Sequence, residues 1–126
     1  MTKRRIIVIG GSAAGPKAAA KARRIDNDAE VIILQKEPDL SMASCGYPYY
    51  VGGFFDDRNM LLCTPAGVVR NPMFYLNAKD IDARVNTEVA AIDRQNRRVS
   101  FRNLSAGEDG VLSYDKLVIA TGAVPR

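Results

Sequence analysis

One cysteine of the chain stands where its neighbours could make it reactive. Cys45 is followed by Gly46 and, three positions after itself, by Pro48, a residue that suits the first turn of a helix. The N–H groups and the dipole at a helix N-terminus favour the thiolate, which is the nucleophilic form of a thiol. The alternative for a cysteine before glycine is a small buried hydrophobe. Cys45 is therefore a candidate redox centre or nucleophile.

The sequence lacks histidine and contains two cysteines. A Ser-His-Asp triad, a Cys-His dyad and histidine metal sites therefore cannot be assembled from this chain. Two cysteines 18 positions apart make neither a disulfide framework nor a zinc cluster. Cys63 has apolar neighbours and is expected to be structural. Much hydrolase chemistry is excluded, and any cysteine chemistry is expected to involve Cys45.

A glycine-rich turn is the second feature with chemical meaning. Gly10, Gly11, Ser12, Ala13, Ala14 and Gly15 follow an apolar run and precede a helical pattern, where the dinucleotide fingerprint G-x-G-x-x-G belongs. Ser12 occupies the second glycine position, so the match is partial. A turn that merely needs small residues is the alternative. We expect this turn to hold a pyrophosphate at the helix N-terminus.

The elements around these motifs indicate an α/β fold. Residues 4–9 and 30–35 are apolar, β-branched runs typical of buried parallel strands, and residues 13–24 between them predict a helix, which makes a βαβ unit. One or two short helices are predicted within 53–77. Residues 88–93 and 98–102 predict a hairpin, 105–110 a connecting loop, and 116–120 a last buried strand.

Composition and charge limit the location and the partners. The chain is 47% hydrophobic and 25% charged, so it should bury a core as one domain or a large piece of one. No apolar run approaches the roughly 20 residues of a membrane span, and the N-terminus does not read as a signal peptide. Cytoplasmic location is therefore expected. A net charge of +4, scattered among acidic residues, gives little support to nucleic-acid binding and suits a small polyanion.

Three cations form a stripe on the first predicted helix. Lys17, Lys21 and Arg24 are spaced i, i+4 and i+7, which places them on one helical face. Such a stripe is either a solvated basic face or a phosphate-binding surface, and both interpretations stay open.

Taken together, these motifs resemble the FAD-dependent pyridine nucleotide-disulfide oxidoreductases. The resemblance is to the single-cysteine branch, which includes coenzyme A disulfide reductases, persulfide or polysulfide reductases and NADH oxidases. It spans most of the chain, through 10–15, 22–24, 41–50, 88–93 and 114–123. Two-cysteine relatives carry a second cysteine five positions after the first, and Tyr50 stands there in this chain. The resemblance implies a Rossmann-like FAD-binding domain with a parallel sheet and an added antiparallel β-meander.

The resemblance also implies roles for individual residues. Cys45 would lie beside the flavin and form a mixed disulfide or a sulfenic acid, while NAD(P)H, bound outside this segment, would supply electrons. Gln35 stands where the family has a ribose-binding glutamate, and Glu37 is the nearest acidic alternative. The implied cofactor-binding residues are Gly10, Gly11, Ser12, Ala13, Ala14, Gly15, Gln35, Lys36, Val89, Ala120, Thr121 and Gly122. The implied residues for coenzyme A are Lys17, Lys21, Arg24, Ser41, Ser44 and Lys79.

The implied reaction is the reduction of coenzyme A disulfide or of a persulfide or polysulfide. Ala13 stands where NADH peroxidases and many NADH oxidases carry a histidine, so oxygen reduction is the less favoured alternative. A non-redox dinucleotide-binding module, in which Cys45 only packs, is the other. The chain is further expected to be the N-terminal segment, 1–126, of the FAD-binding domain of a longer homodimeric protein. Alone it is expected to bind FAD weakly or not at all and to be inactive.

Overall fold

The structure, a computed structural model, describes residues 3–125. Its α-helices and strands follow in chain order: β1 Arg5–Ile9, α1 Ala14–Ile25, β2 Glu30–Leu34, α2 Tyr47–Val51, α3 Pro72–Lys79, β3 Asp82–Arg84, β4 Thr87–Asp93, β5 Arg98–Asn103, β6 Glu108–Ser113 and β7 Lys116–Ile119. Two 3-10 turns, Ser44–Gly46 and Arg58–Leu61, lie between β2 and α3. The predicted βαβ unit, the short helices and the hairpin are confirmed. The last strand is confirmed as a strand, but its prediction as buried is wrong: β7 is an edge strand whose Ile119 is 63% exposed.

A parallel sheet of four strands in the order β3-β2-β1-β7 forms the centre of the molecule. Side chains of β1 alternate between two cores, as the pleat of a strand requires. Ile6 and Val8 pack with residues of α1 and α3, whereas Ile7 and Ile9 pack against Val99 of β5. The sheet is therefore covered on both faces at its centre, which explains why β1 and β2 are nearly continuous apolar runs.

An antiparallel meander, β4-β5-β6, covers the second face of the sheet. The hairpin turn between β4 and β5 is closed by Asn96, whose backbone N–H and side-chain amide both donate to the Asp93 carboxylate, at 3.1 and 2.7 Å. These bonds to Asn96 lower the pKa of Asp93 below its ordinary value. The Rossmann-like architecture with an added meander that the resemblance implied is confirmed.

The predicted loop over 105–110 is wrong in its second half. Residues Glu108, Asp109 and Gly110 belong to β6, because the chain reverses in a tight turn immediately before them. The Asn103 side chain accepts from the backbone N–H groups of Ser105 and Ala106, both at 3.0 Å. A strand can therefore begin at Glu108 although its first three residues are polar or glycine.

No helix within residues 3–125 has the length and apolar character needed to cross a bilayer.

Val99 is the centre of the contact between meander and sheet, so it offers a test of this packing. Its side chain is 0% exposed, while Val111 on the neighbouring strand is 60% exposed. In the complete protein that carries this chain, Val99→Ala should lower the free energy of unfolding by roughly 1 to 3 kcal/mol. Val111→Ala, the matched control, should change it by less than about 0.5 kcal/mol. Urea denaturation followed by circular dichroism measures both. Equal midpoints for the two variants would contradict the packing described.

Candidate functional site

The glycine turn between β1 and α1 is built so tightly that two of its residues cannot carry a side chain. Gly10 has φ +104°, and a Cβ there would overlap the carbonyl group of Ala120. A Cβ on Gly15 would overlap the carbonyl oxygen of Gly10. The first glycine thus lets β1 and β7 end side by side, and the last lets α1 approach the turn.

The N-terminus of α1 is open to an anion. Ala13, at the N-cap position, makes no side-chain capping hydrogen bond, and the first turn of α1 contains no acidic residue. Ser12, Ala13 and Ala14 are exposed. The first N–H groups of a helix lack intrahelical partners, and the helix dipole places partial positive charge there. The turn therefore fits a pyrophosphate group.

A cleft of about 170 Å³ lies at the carboxyl ends of β1 and β2. β1 is also where the strand order changes direction, with β2 on one side and β7 on the other, the position at which open α/β sheets bind ligands. Five residues implied as cofactor-binding line this cleft: Gly10, Gln35, Lys36, Val89 and Thr121. Ala120 and Gly122 lie outside its lining, although Ala120 continues the sheet by donating its N–H to Ile9, at 2.8 Å.

Gln35 is a wall of this cleft and also a brace for the turn. Its side-chain oxygen accepts from the Gly11 N–H at 2.8 Å, and its side-chain nitrogen donates to the Asp39 carbonyl at 3.0 Å. The residue is buried. An amide can form both bonds at once, whereas a carboxylate cannot donate to the Asp39 carbonyl. Gln35 therefore holds the glycine turn in place, and one amide hydrogen remains for a ligand.

The mouth of the same cleft carries an ion pair that sequence reasoning did not identify. Lys36 Nζ lies 3.0 Å from the Glu88 carboxylate. This hydrogen bond, with the attraction between the two charges, raises the pKa of Lys36. Thr87, also missed, lies beside it; its backbone N–H donates to the Gln35 carbonyl at 2.9 Å and fixes β4 against the end of β2.

The segment that carries Cys45 is tied to the glycine turn. Ser41 donates its backbone N–H to the Gly11 carbonyl at 2.8 Å, and Ala43 donates to the Leu61 carbonyl at 2.8 Å. Cys45 follows in the 3-10 turn before α2, and Pro48 lies in the first turn of α2, as predicted. Cys45 is exposed, whereas Cys63 is half-buried. Cys45 is thus accessible and lies four residues after the contact of Ser41 with the glycine turn.

A second cleft, of about 510 Å³, separates α1 from α3. Four residues implied for coenzyme A line it: Lys17, Arg24, Ser41 and Lys79. Lys21 and Ser44 are absent from its lining. Sequence reasoning missed Arg70, which also lines the cleft and follows a turn with no periodic pattern. No carboxylate lines this cleft within the described part of the chain.

Ser41 has an unusual backbone and a well-defined partner. Its φ is +52°, a left-handed conformation uncommon for residues other than glycine. Its hydroxyl forms a hydrogen bond with the hydroxyl of Tyr75, which is buried on α3. The segment leading to Cys45 is therefore held both by the glycine turn and by the helix across the cleft.

The fold and these sites define a Rossmann-like dinucleotide-binding domain with an accessible cysteine on the segment that is tied to its glycine turn. The chain belongs to the pyridine nucleotide-disulphide oxidoreductase family, whose sequence model matches residues 4–126.

Individual relatives of this chain are reductases of sulfur compounds. It is 36% identical over 120 residues to a coenzyme A disulfide reductase of Staphylococcus haemolyticus, covering 95% of this chain and 26% of that protein. The structure of an NAD-dependent persulfide reductase from A. fulgidus is similar with a TM-score of 0.92 and 40% identity, covering 97% of this chain and 22% of that one. The structure of reduced CoADR-RHD of Bacillus anthracis is similar with a TM-score of 0.87 and 31% identity, covering 100% of this chain and 22% of that one. The chain thus spans about a quarter of the length of these relatives.

The two hydrogen bonds of Gln35 generate a prediction about the turn. Gln35→Leu keeps the approximate volume but leaves the Gly11 N–H and the Asp39 carbonyl without their partner. In the complete protein this change should lower the free energy of unfolding by roughly 1 to 3 kcal/mol. Gln95→Leu, on the exposed hairpin turn, is the control and should change it little. Denaturant titration compares them, and indistinguishable midpoints would show that Gln35 does not brace the turn.

Proposed function

We propose that the complete protein carrying this chain is an FAD-dependent oxidoreductase that uses NAD(P)H to reduce coenzyme A disulfide or a persulfide or polysulfide. The observation that carries the proposal is the position of Cys45, exposed and tied through Ser41 to the glycine turn. The sulfur substrates of the relatives support the same reaction class. We further propose that the protein works as a homodimer in the reducing cytoplasm.

FAD is the dinucleotide that we assign to the glycine turn. The open N-terminus of α1 would hold its pyrophosphate, and the cleft between Gln35, Val89 and Thr121 would hold its adenosine end. In this arrangement Lys36 and Glu88 stand at the rim of the adenosine site. Bound FAD would supply the two-electron chemistry, taking a hydride equivalent from NAD(P)H and passing electrons to sulfur.

Cys45 would carry the sulfur chemistry. As a thiolate it attacks one sulfur of a disulfide RSSR, so that a Cys45–SR bond forms, the S–S bond breaks and one RS⁻ leaves. Two electrons originating from NAD(P)H then cleave the mixed disulfide, returning the Cys45 thiolate and a second RS⁻. In total, RSSR, NAD(P)H and one proton give two RSH and NAD(P)⁺. A single cysteine therefore suffices, consistent with Tyr50 at the position of a second one.

Coenzyme A is the substrate moiety that the cleft between α1 and α3 favours. The cleft is lined by cationic side chains and, among residues 3–125, by no acidic residue. None of Lys17, Arg24 and Lys79 forms an ion pair with a residue in 3–125. Cations without carboxylate partners suit phosphate groups. Ser41 joins this cleft to the Cys45 segment, so the phosphates of a phosphorylated thiol substrate would bind in the cleft while its sulfur reacts at Cys45.

Replacement of the two cysteines tests the reaction. In the complete protein Cys45→Ser should abolish NAD(P)H-dependent reduction of coenzyme A disulfide and of coenzyme A persulfide, because the mixed disulfide can no longer form. Cys63→Ser, at the half-buried cysteine, should retain turnover. NAD(P)H oxidation followed by absorbance, with released thiol quantified separately, measures both variants.

Three outcomes of that assay discriminate the alternatives. Unchanged thiol production by Cys45→Ser would overturn the cysteine mechanism. NADH consumption matched by oxygen uptake, with no thiol produced by the wild type, would favour an NADH oxidase. Absence of any NAD(P)H oxidation by the FAD-loaded wild type would favour a non-redox dinucleotide-binding module.

A further inference from the structure

The cleft between α1 and α3 can be divided into two levels. The upper level lies near the segment that carries Cys45, and the lower level lies at the C-terminal ends of the two helices. The two helices place their C-terminal ends together, since Arg23 of α1 donates to the Asp80 carbonyl at 2.8 Å, immediately after α3. Arg24 and Lys79, both in the cleft lining, therefore belong to this lower level. Arg70, by contrast, precedes α3, whose eight residues span about 12 Å.

Arg70 belongs to the upper level, next to the segment that carries Cys45. Its backbone N–H donates to the Leu62 carbonyl at 3.0 Å, and the adjacent Leu61 carbonyl accepts from Ala43 at 2.8 Å. Only the Leu61–Leu62 backbone therefore separates Arg70 from Ala43, two residues before Cys45. Lys17, in the second turn of α1, completes the lining of this level.

The position of Arg70 is fixed by a short turn of its own. The Thr64 N–H donates to the Val68 carbonyl at 2.8 Å, and the Val68 N–H donates to the Thr64 hydroxyl at 3.2 Å. Cys63 pairs with Val69 in an antiparallel bridge. Asn71 then caps α3 by accepting from the Phe74 N–H at 2.9 Å. Arg70 lies between this turn and the helix cap, is half-buried, and forms no ion pair with any residue from 3 to 125.

We propose that Arg70 is a specificity-determining residue that binds the diphosphate of a nucleotide thiol substrate. The inference rests on the proposed function, because it takes the reacting sulfur of that substrate to lie at Cys45. Along coenzyme A the diphosphate lies between the thiol arm and the 3′-phosphorylated ribose. For a ligand that enters with its sulfur at Cys45, we place the diphosphate at the upper level and the more distant 3′-phosphate at the level of Arg24 and Lys79.

A guanidinium suits this position. Its fixed fork of N–H donors forms paired hydrogen bonds to phosphate oxygens, and it keeps its charge at all relevant pH values. Since no carboxylate lines the cleft in residues 3–125, the charge of Arg70 is available to a ligand. Arg70 is thus expected to act on substrate affinity and to leave the chemistry at Cys45 unchanged.

Three disulfides that differ in their phosphates test this assignment in the complete, FAD-loaded protein: coenzyme A disulfide, its 3′-dephospho analogue and pantetheine disulfide, which has no phosphate. Arg70→Gln should raise KM by about tenfold for the first two, equally, with little change in kcat. KM for pantetheine disulfide should not change. Arg70→Lys should recover part of the affinity, because the charge is kept.

Arg94→Gln is the matched control, since Arg94 is exposed on the hairpin turn and outside both clefts. Equal KM values for Arg70→Gln and Arg94→Gln, or a loss that appears only when the 3′-phosphate is present, would overturn the inference while the proposed function stands. A loss that extends to pantetheine disulfide would overturn it as well. A wild type that reduces a persulfide or polysulfide but neither phosphorylated disulfide would overturn the inference alone, and one that reduces none of these sulfur compounds would overturn the proposed function and this inference together.

Discussion

The hydrogen bond from the Ser41 N–H to the Gly11 carbonyl joins the two motifs on which the site depends. On one side of it lies a turn shaped by residues that cannot carry a Cβ, with the open N-terminus of α1. On the other lies the segment that leads to Cys45 and, through the Ser41 hydroxyl, contacts Tyr75 of α3. Gln35 holds the same turn from below by accepting from the Gly11 N–H. A displacement of the turn would therefore displace the dinucleotide edge and the cysteine together.

The two clefts beside this bond differ in charge, and this difference sorts their ligands. Around the adenosine cleft the one lysine is neutralised by Glu88, and the buried polar groups are the amide of Gln35 and the hydroxyl of Thr87. The cleft between α1 and α3 instead presents cations that form no ion pair with any residue from 3 to 125. A neutral polar cleft suits the nucleoside end of a dinucleotide, because the charge of its pyrophosphate is stabilised elsewhere, at the helix N-terminus. A cationic cleft suits a substrate that carries its own phosphates, which separates cofactor from substrate although both are nucleotides.

Much of the fold and the centre of the site could be predicted because their signals are local. The apolar strands, the glycine turn and Cys45 before Pro48 are each contained in a few consecutive residues. Arg70 could not be predicted, since the pairing of Cys63 with Val69 and the hydrogen bond from its own N–H to the Leu62 carbonyl bring it to the cleft. The brace formed by Gln35 depends on Gly11, 24 residues away, and the early start of β6 depends on the bonds of Asn103 in the preceding turn. Lys21 was predicted for the site but does not line the cleft. Helical spacing places it on one face with Lys17 and Arg24, but the cleft beside α3 includes only part of that face.

The central claim is that the turn at the start of α1 and the sulfur of Cys45 serve one flavin. A crystal structure of the complete protein grown with FAD measures this directly. The account predicts the pyrophosphate at the N–H groups of the first turn of α1 and the Cys45 Sγ within about 4 Å of the flavin ring. A pyrophosphate bound elsewhere, or a Cys45 side chain out of contact with the ring, would contradict it.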